Sequence, residues 1–381
     1  MKIAIIHEML VKLGGAENVA EDLLKIFPEA DFFTLIYDKK IAESRFPKSR
    51  IKKIPSITQL IYNITGKQYL CLPFMKYAIE SLDLGEYDLV ISSSSGFAHG
   101  CITKPETLHV VYYHTPARFL WDWTHNYAKE MRGKKTIKSI LFHIANFTIL
   151  KALFSSLRKW DYIAGQRNDI AIAASNQVKD RIKKYYRRNS VVIYPPVNIK
   201  EFDIGDKPLN ERKYYMMTSI LTAFKRVDLA IRAFNDLGYE LIVIGNGDQL
   251  NYLKSIAKEN IKFLGFLGHL EQNEYYKNCR GAIMPGRDDF GIIPVEAMSA
   301  GVPMFGLRAG GLTETSIEGL TGEFFDYDDI NEFKRKFEIF HKNIENKKYD
   351  RIKIRDHTKK FNKDRFIEEI KTLINKAFSL N

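Results

Sequence analysis

Pro285-Gly286-Arg287-Asp288-Asp289-Phe290-Gly291-Ile292-Ile293-Pro294-Val295-Glu296-Ala297-Met298-Ser299-Ala300-Gly301-Val302-Pro303 follows the apolar run 281–284 and brackets a short helix. Pro294 suits a first helical turn, Gly301 suits the end, and Pro303 prevents continuation. Loop 288–293 therefore leads from a strand into a helix N-terminus, whose unpaired N–H groups and positive dipole end can hold a diphosphate. Glu296, near the helix start, can turn back toward the same ligand. A carboxylate there faces sugar or ribose hydroxyls, because it accepts hydrogen bonds from hydroxyls and is repelled by phosphate. Taken alone, Asp288 and Glu296 could equally cap and solvate a helix.

The same alternation of apolar run, turn and helical pattern extends in both directions. Strands are expected at 2–7, 32–36, 89–93, 109–113, 170–173 and 191–193. After the turn Tyr194-Pro195-Pro196-Val197 they resume at 214–219, 240–244, 261–264, 281–284, 303–306 and 322–325. Such alternation predicts an α/β protein with parallel sheets and helices on both faces. A length of 381 residues exceeds what one core usually fills. The expectation is two Rossmann-like doubly wound domains, 1–196 and 197–361, facing a cleft, with a C-terminal helix at 362–381 crossing back onto the first. Ligands in such sheets bind beyond the carboxyl ends of the strands.

Three further segments carry chemistry. Ser219-Ile220-Leu221-Thr222-Ala223-Phe224-Lys225-Arg226-Val227-Asp228 sets a basic pair ahead of a helix, a poor place for cations unless an anion sits there. Gly14-Gly15-Ala16-Glu17 opens a helix after the first strand and lets backbone approach a ligand closely. Tyr113-His114-Thr115-Pro116-Ala117-Arg118-Phe119-Leu120-Trp121-Asp122 leaves a strand end with an imidazole, which in general is more often structural than catalytic. Gly245-Asn246-Gly247-Asp248 lacks the third glycine of a dinucleotide fingerprint and reads as a turn.

Together these segments resemble the retaining glycosyltransferases of family 4, of GT-B fold. That family's signature sets two acids with seven residues between them around an F-G-x-x-P core. Asp288 and Glu296 occupy the acidic positions, with Phe290, Gly291 and Pro294 between them. The first acid, commonly Glu, is Asp here. Lys225 matches the family's phosphate-binding lysine, whereas the arginine often found about five residues earlier is absent, with Ile220 near its place. Arg226 is the candidate substitute. The resemblance assigns Lys225, Asp288, Glu296 and His114 to catalysis. It assigns Gly15, Lys225, Arg226, Gly291, Ile292, Ile293 and Glu296 to the nucleotide sugar. Arg118, Trp121 and Asp122 are acceptor or structural residues, and Glu314 in Gly310-Gly311-Leu312-Thr313-Glu314 is structural.

The implied activity is transfer of a hexose with retention. The His-Thr-Pro segment is similar to that of O-antigen and exopolysaccharide mannosyltransferases, which favours GDP-mannose as donor and a glycan or polyprenyl-linked glycan as acceptor in cell-surface polysaccharide assembly. UDP-glucose or UDP-N-acetylglucosamine transfer, a nucleotide-sugar epimerase and a non-catalytic binding module are the alternatives. No metal or cofactor is expected, because cations and a helix end meet the diphosphate, and Asp326-Tyr327-Asp328 reads as a solvated turn.

Composition narrows the setting. The apolar share of 45% and charged share of 27% are those of a globular protein. Cys71, Cys101 and Cys279 are too far apart for a disulfide framework, which fits a cytoplasmic location. A net charge of +12 draws the chain to an anionic partner. Segment 129–160 holds Lys129, Arg132, Lys134, Lys135, Lys138, Lys151, Arg158 and Lys159 among apolar residues. That mixture favours the inner face of the plasma membrane over nucleic acid, the other reading being first-domain core with a basic rim.

Overall fold

The computed structural model describes residues 1–380 except 13, 48, 53–55, 123, 125–138 and 328, with side chains at 139–150 and 380 left aside. Contacts divide the chain into two units, Met1–Ile193 and Tyr194–Asn381, just ahead of the boundary expected after Pro196. The helix Lys363–Leu380 falls in the second unit. Its start is pinned there, where Val197 N–H donates to Phe361 O at 3.0 Å and Arg365 Nη2 donates to Tyr194 O at 2.8 Å.

The strands of the first unit are β1 (Ile3–His7), β2 (Met9–Leu10), β3 (Asp31–Phe33), β4 (Ile36–Tyr37), β5 (Ile51–Lys52), β6 (Leu89–Ser94), β7 (Leu108–Tyr113), β8 (Ile170–Ala173) and β9 (Val191–Val192). Seven of them form one parallel sheet in the order β5-β3-β1-β6-β7-β8-β9. Ala4, Ile5 and Ile6 of the interior strand β1 are fully buried, as expected of a strand covered on both faces by helices. The strand expected at 32–36 is divided in two. The chain bends at Thr34, whose hydroxyl donates to Ile36 O, and β4 pairs with β2 in a separate ribbon.

The second unit holds β10 (Tyr214–Thr218), β11 (Glu240–Ile244), β12 (Ile261–Gly265), β13 (Cys279–Met284), β14 (Met304–Leu307) and β15 (Gly322–Phe325). Their order is β12-β11-β10-β13-β14-β15, all parallel. This is the dinucleotide-binding order: the chain works outward from β10 on one side, then returns to build from β13 on the other. Helix starts are capped by short polar side chains, as where Ser175 accepts from Val178 N–H and Asp329 from Asn331 and Glu332. The core is rich in phenylalanine: Phe305 lies 5.0–5.5 Å between ring centroids from Phe325, Phe333, Phe337 and Phe340.

The long helix Ser139–Ala164 turns Phe154, Leu157, Trp160 and Ala164 into the core of the first unit. The described part of segment 129–160 therefore uses its apolar residues for packing. Lys129, Arg132, Lys134, Lys135 and Lys138 lie outside the described residues. Among the described residues no helix is long and apolar enough to cross a membrane.

Phe337 is fully buried, 4.8 Å from the rings of both Tyr215 and Phe234, so it joins helix Ile330–Glu345 to the sheet. Phe337→Ala should lower unfolding free energy by about 3–5 kcal/mol. Chemical denaturation followed by circular dichroism measures it, and a loss below about 1 kcal/mol would contradict this packing role.

Candidate active site

At the point where strand order reverses, β10 and β13 lie side by side and their exits run to opposite sides of the sheet. Loop 219–226 leaves β10 and loop 285–291 leaves β13. The first is held by backbone bonds to the neighbouring β11 exit: Ser219 N–H donates to Ile244 O and Leu221 N–H to Asn246 O, both at 3.0 Å. A 3-10 turn at Ala223–Lys225 then ends at Arg226, whose left-handed φ of 51° redirects the chain into helix Val227–Leu237. Arg226 Nε lies 3.3 Å from Asp228 Oδ1.

Lys225 reaches across to loop 285–291 and ion-pairs with Asp288 Oδ1. Both side chains are mostly buried yet retain some solvent contact. The pair is enforced by close backbone packing. A Cβ on Gly286 would meet the Lys225 backbone at 2.7 Å. One on Gly310, beyond β14, would meet Asp288 O at 2.3 Å, and Gly310 also has a positive φ of 69°. Gly311 N–H donates to the same carbonyl at 2.8 Å. Three strand exits thus fix where the ammonium and carboxylate meet.

Helix Ile292–Ser299 starts directly after this loop, with Gly291 as its N-cap, so the N–H groups of Ile292 and Ile293 lie in the first turn with no intrahelical acceptor. Glu296 is buried one turn on. It is not paired with Lys225; Oε1 lies 3.5 Å from Nδ1 of His269, at the start of helix His269–Asn278. Burial pushes the Glu296 carboxyl above its ordinary range, His269 opposes the rise and Glu201 adds to it.

Gly15 and His114 belong to the first unit, at the corresponding end of its sheet. Gly15 is the first residue of helix Gly15–Ile26. His114 follows β7, and its Nε2 lies 2.8 Å from Ser93 Oγ, which also lies 3.1 Å from His7 Nδ1. Though part of its ring stays open, the surrounding protein and then His7 push His114 down to about 3, so it is neutral. His7 behaves in the opposite way. Burial alone would depress it, yet a hydrogen bond and charge from Glu17, with Glu8 behind, raise it, while His7 holds Glu17 low against its own burial. The two side chains lie 3.8 Å apart, Nε2 to Oε1.

Other sequence candidates are spoken for. Asp122 lies 3.2 Å from Arg181 and 3.8 Å from Arg118, and Trp121 donates to Asp161 at 2.7 Å. Glu314 accepts from Tyr194 OH at 3.2 Å, and Asp326 is paired with Arg308; Asp328 lies outside the described residues. His99 Nδ1 lies 3.1 Å from Ser94 Oγ and its Nε2 3.3 Å from Asp161 Oδ1, but none of the three residues is more than 1% exposed, so they pack helix Ser139–Ala164 against β6. Among the described residues no group of three or more His, Cys, Asp or Glu converges to hold a metal. The sequence reading missed His7, Ser93, Glu17, Gly286 and His269. Only the glycine turn before Glu17 signalled any of them; the rest are neighbours made by the sheet.

Residues 13–201 match the family model for Glycosyltransferase Family 4, and residues 197–356 that for Glycosyl transferases group 1. The chain is a glycosyltransferase of GT-B fold. An uncharacterised glycosyltransferase of Methanocaldococcus jannaschii is 24% identical across 85% of this chain and 84% of its own length. The alpha-1,3/1,6-mannosyltransferase of Kluyveromyces lactis is 26% identical across 83% of this chain and 71% of its own. Among solved structures, Anabaena HepE in complex with UDP superposes with a TM-score of 0.70 at 16% identity, covering 99% of this chain and 100% of that one.

Two predictions follow from the geometry. Gly286→Ala should displace the Lys225 turn and reduce nucleotide affinity while leaving the sheet folded; unchanged affinity by calorimetry would show that the loop absorbs the Cβ. The His7–Glu17 pair should also give a pH signature. A raised His7 contributes stability below its ordinary value of about 6.5 and loses it as pH rises through the raised value; a depressed Glu17 contributes above about 4.3 and loses it as pH falls through the lowered one. The stability gap between wild type and Glu17→Gln should therefore be widest between about pH 4.3 and 6.5. A gap that does not vary with pH in denaturation series would mean that the pair is uncharged.

Proposed function

We propose that this chain moves mannose from GDP-mannose onto a hydroxyl of a glycan or polyprenyl-linked glycan, with retention at the anomeric carbon, during cell-surface polysaccharide assembly. The observation that carries the reading is the meeting of Lys225 and Asp288 at the switch point of the second sheet, beside the start of helix Ile292–Ser299. A cation and a row of N–H groups suit a diphosphate, and a carboxylate next to them suits the hydroxyls of the sugar it carries. Similarity to a mannosyltransferase along most of both chains supports the choice of sugar.

In this reading the donor diphosphate takes over the Lys225 ammonium, releasing Asp288 to accept from the sugar hydroxyls. Breaking the anomeric C–O bond leaves negative charge on the diphosphate, where Lys225, Arg226 and the N–H groups of Ile292 and Ile293 stabilise it as it develops. These groups take the place a divalent metal would fill. Glu296, with its carboxyl held among buried neighbours, meets the ribose diol. Gly15 lets backbone approach the donor, and neutral His114, its Nε2 engaged by Ser93, meets the sugar through its other nitrogen. Three free, buried cysteines fit a reducing compartment, and the reaction is assigned to the cytoplasm.

Incubation with a panel of nucleotide sugars should release GDP from GDP-mannose faster than UDP from UDP-glucose or UDP-N-acetylglucosamine; preferential UDP release would overturn the donor. Lys225→Ala should lower kcat/KM by about 10²–10³, or roughly 2.7–4 kcal/mol, with folding intact. Turnover should persist in excess EDTA, and activity that collapses and returns with Mg²⁺ would reassign the phosphate charge to a metal.

A further inference from the structure

Helix Ile57–Thr65 buries Thr58 and packs Ile61 and Tyr62 against the core of the first unit, but its outer side is not polar. Ile57, Leu60 and Ile64, spaced to share that side, are 51%, 58% and 74% exposed. The apolar surface continues through Leu70 in the next turn and Tyr77 in helix Leu72–Glu80, which packs on both. Isolated exposed side chains need no explanation, whereas a contiguous group on packed elements does.

The segments that form this surface carry charge of one sign. No Asp or Glu occurs from residue 46 to 79, nor from 151 to 160. Lys76 Nζ lies 3.4 Å from Ser156 Oγ, so helix Ser139–Ala164 borders the apolar group and adds exposed Lys151 and Lys159 to Lys67 and Lys76. The nearest carboxylate in sequence, Glu80, is drawn inward by Trp160 Nε1 at 2.8 Å and Arg167 at 2.7 Å. A second copy of this chain would bring one lysine rim against another, which self-association disfavours. Aliphatic side chains ringed by lysines complement a bilayer interface, with acyl chains beneath anionic headgroups.

We infer that the outward side of helix Ile57–Thr65, continued through Leu70 and Tyr77, docks this enzyme on an anionic lipid surface. This places the membrane contact on elements other than the basic stretch 129–138, and it is independent of which sugar is transferred. The test uses the full chain with vesicles of phosphatidylcholine alone or mixed with phosphatidylglycerol. Wild type should co-sediment with the mixed vesicles and be released by salt. Removing Lys67 should weaken partitioning about fivefold, as the loss of one cation near an anionic surface implies. Leu60→Glu with Ile64→Glu should abolish binding while thermal unfolding and donor hydrolysis stay as in wild type. Leu60→Trp should add blue-shifted emission on mixed vesicles. Unchanged binding in the double Glu variant would overturn the proposal. So would equal binding to neutral vesicles without salt dependence, or a dimer in sedimentation velocity that the same variant dissolves.

Discussion

The second sheet grows in two directions from its centre, and that reversal governs the site. β10 sends its following helix to one side and its neighbour β13 sends loop 285–291 to the other, so two loops separated by some sixty residues in sequence leave from adjacent strand ends. Parallel pairing makes both loops exit at the same edge, since every strand ends there. Lys225 and Asp288 meet because of this edge, and glycines at 286 and 310 remove the side chains that would keep the loops apart.

Electrostatics at both strand edges follow one rule: a charge in a sparsely hydrated place is balanced by a partner close by. Lys225 is balanced by Asp288, His7 by Glu17, and Glu296 lies against His269. Where burial and a like charge outweigh the opposite one, the group becomes neutral, as His114 does beside His7 although Glu17 favours its charged form. In the proposed reading, a donor diphosphate in the second unit gains the Lys225 cation by displacing the Asp288 carboxylate. Binding and repositioning of Asp288 are then one event.

Legibility in the sequence varied with the range of the interaction. The strands at 170–173 and 240–244 were readable to the residue, because the short apolar runs Ile170–Ala173 and Leu241–Ile244 leave few other solutions. Two-residue pairings such as β2, β4 and β5 have no periodicity to detect, and the bend at Thr34 is made by a single side-chain bond. The motif around Asp288 and Glu296 located a strand exit that leads into a short helix, as the structure has it. It said nothing of His269, which comes from a different strand exit and reaches Glu296 only through packing.

What the sequence determined by itself was local: the alternation of strand and helix, the helix bracketed by Pro294 and Gly301, the basic pair ahead of Val227, and the acid-free, lysine-bearing stretches. Each depends on backbone preference or on charge count, properties that residues carry with them. Tertiary structure decided which of these became neighbours. Strand order brought Lys225 to Asp288, the pairing of β6 between β1 and β7 set Ser93 between His7 and His114, and packing turned Phe154, Leu157 and Trp160 inward while leaving Leu60 and Ile64 outside. Apolar spacing says that a helix has a face to bury; only the neighbours available to it decide which face that is.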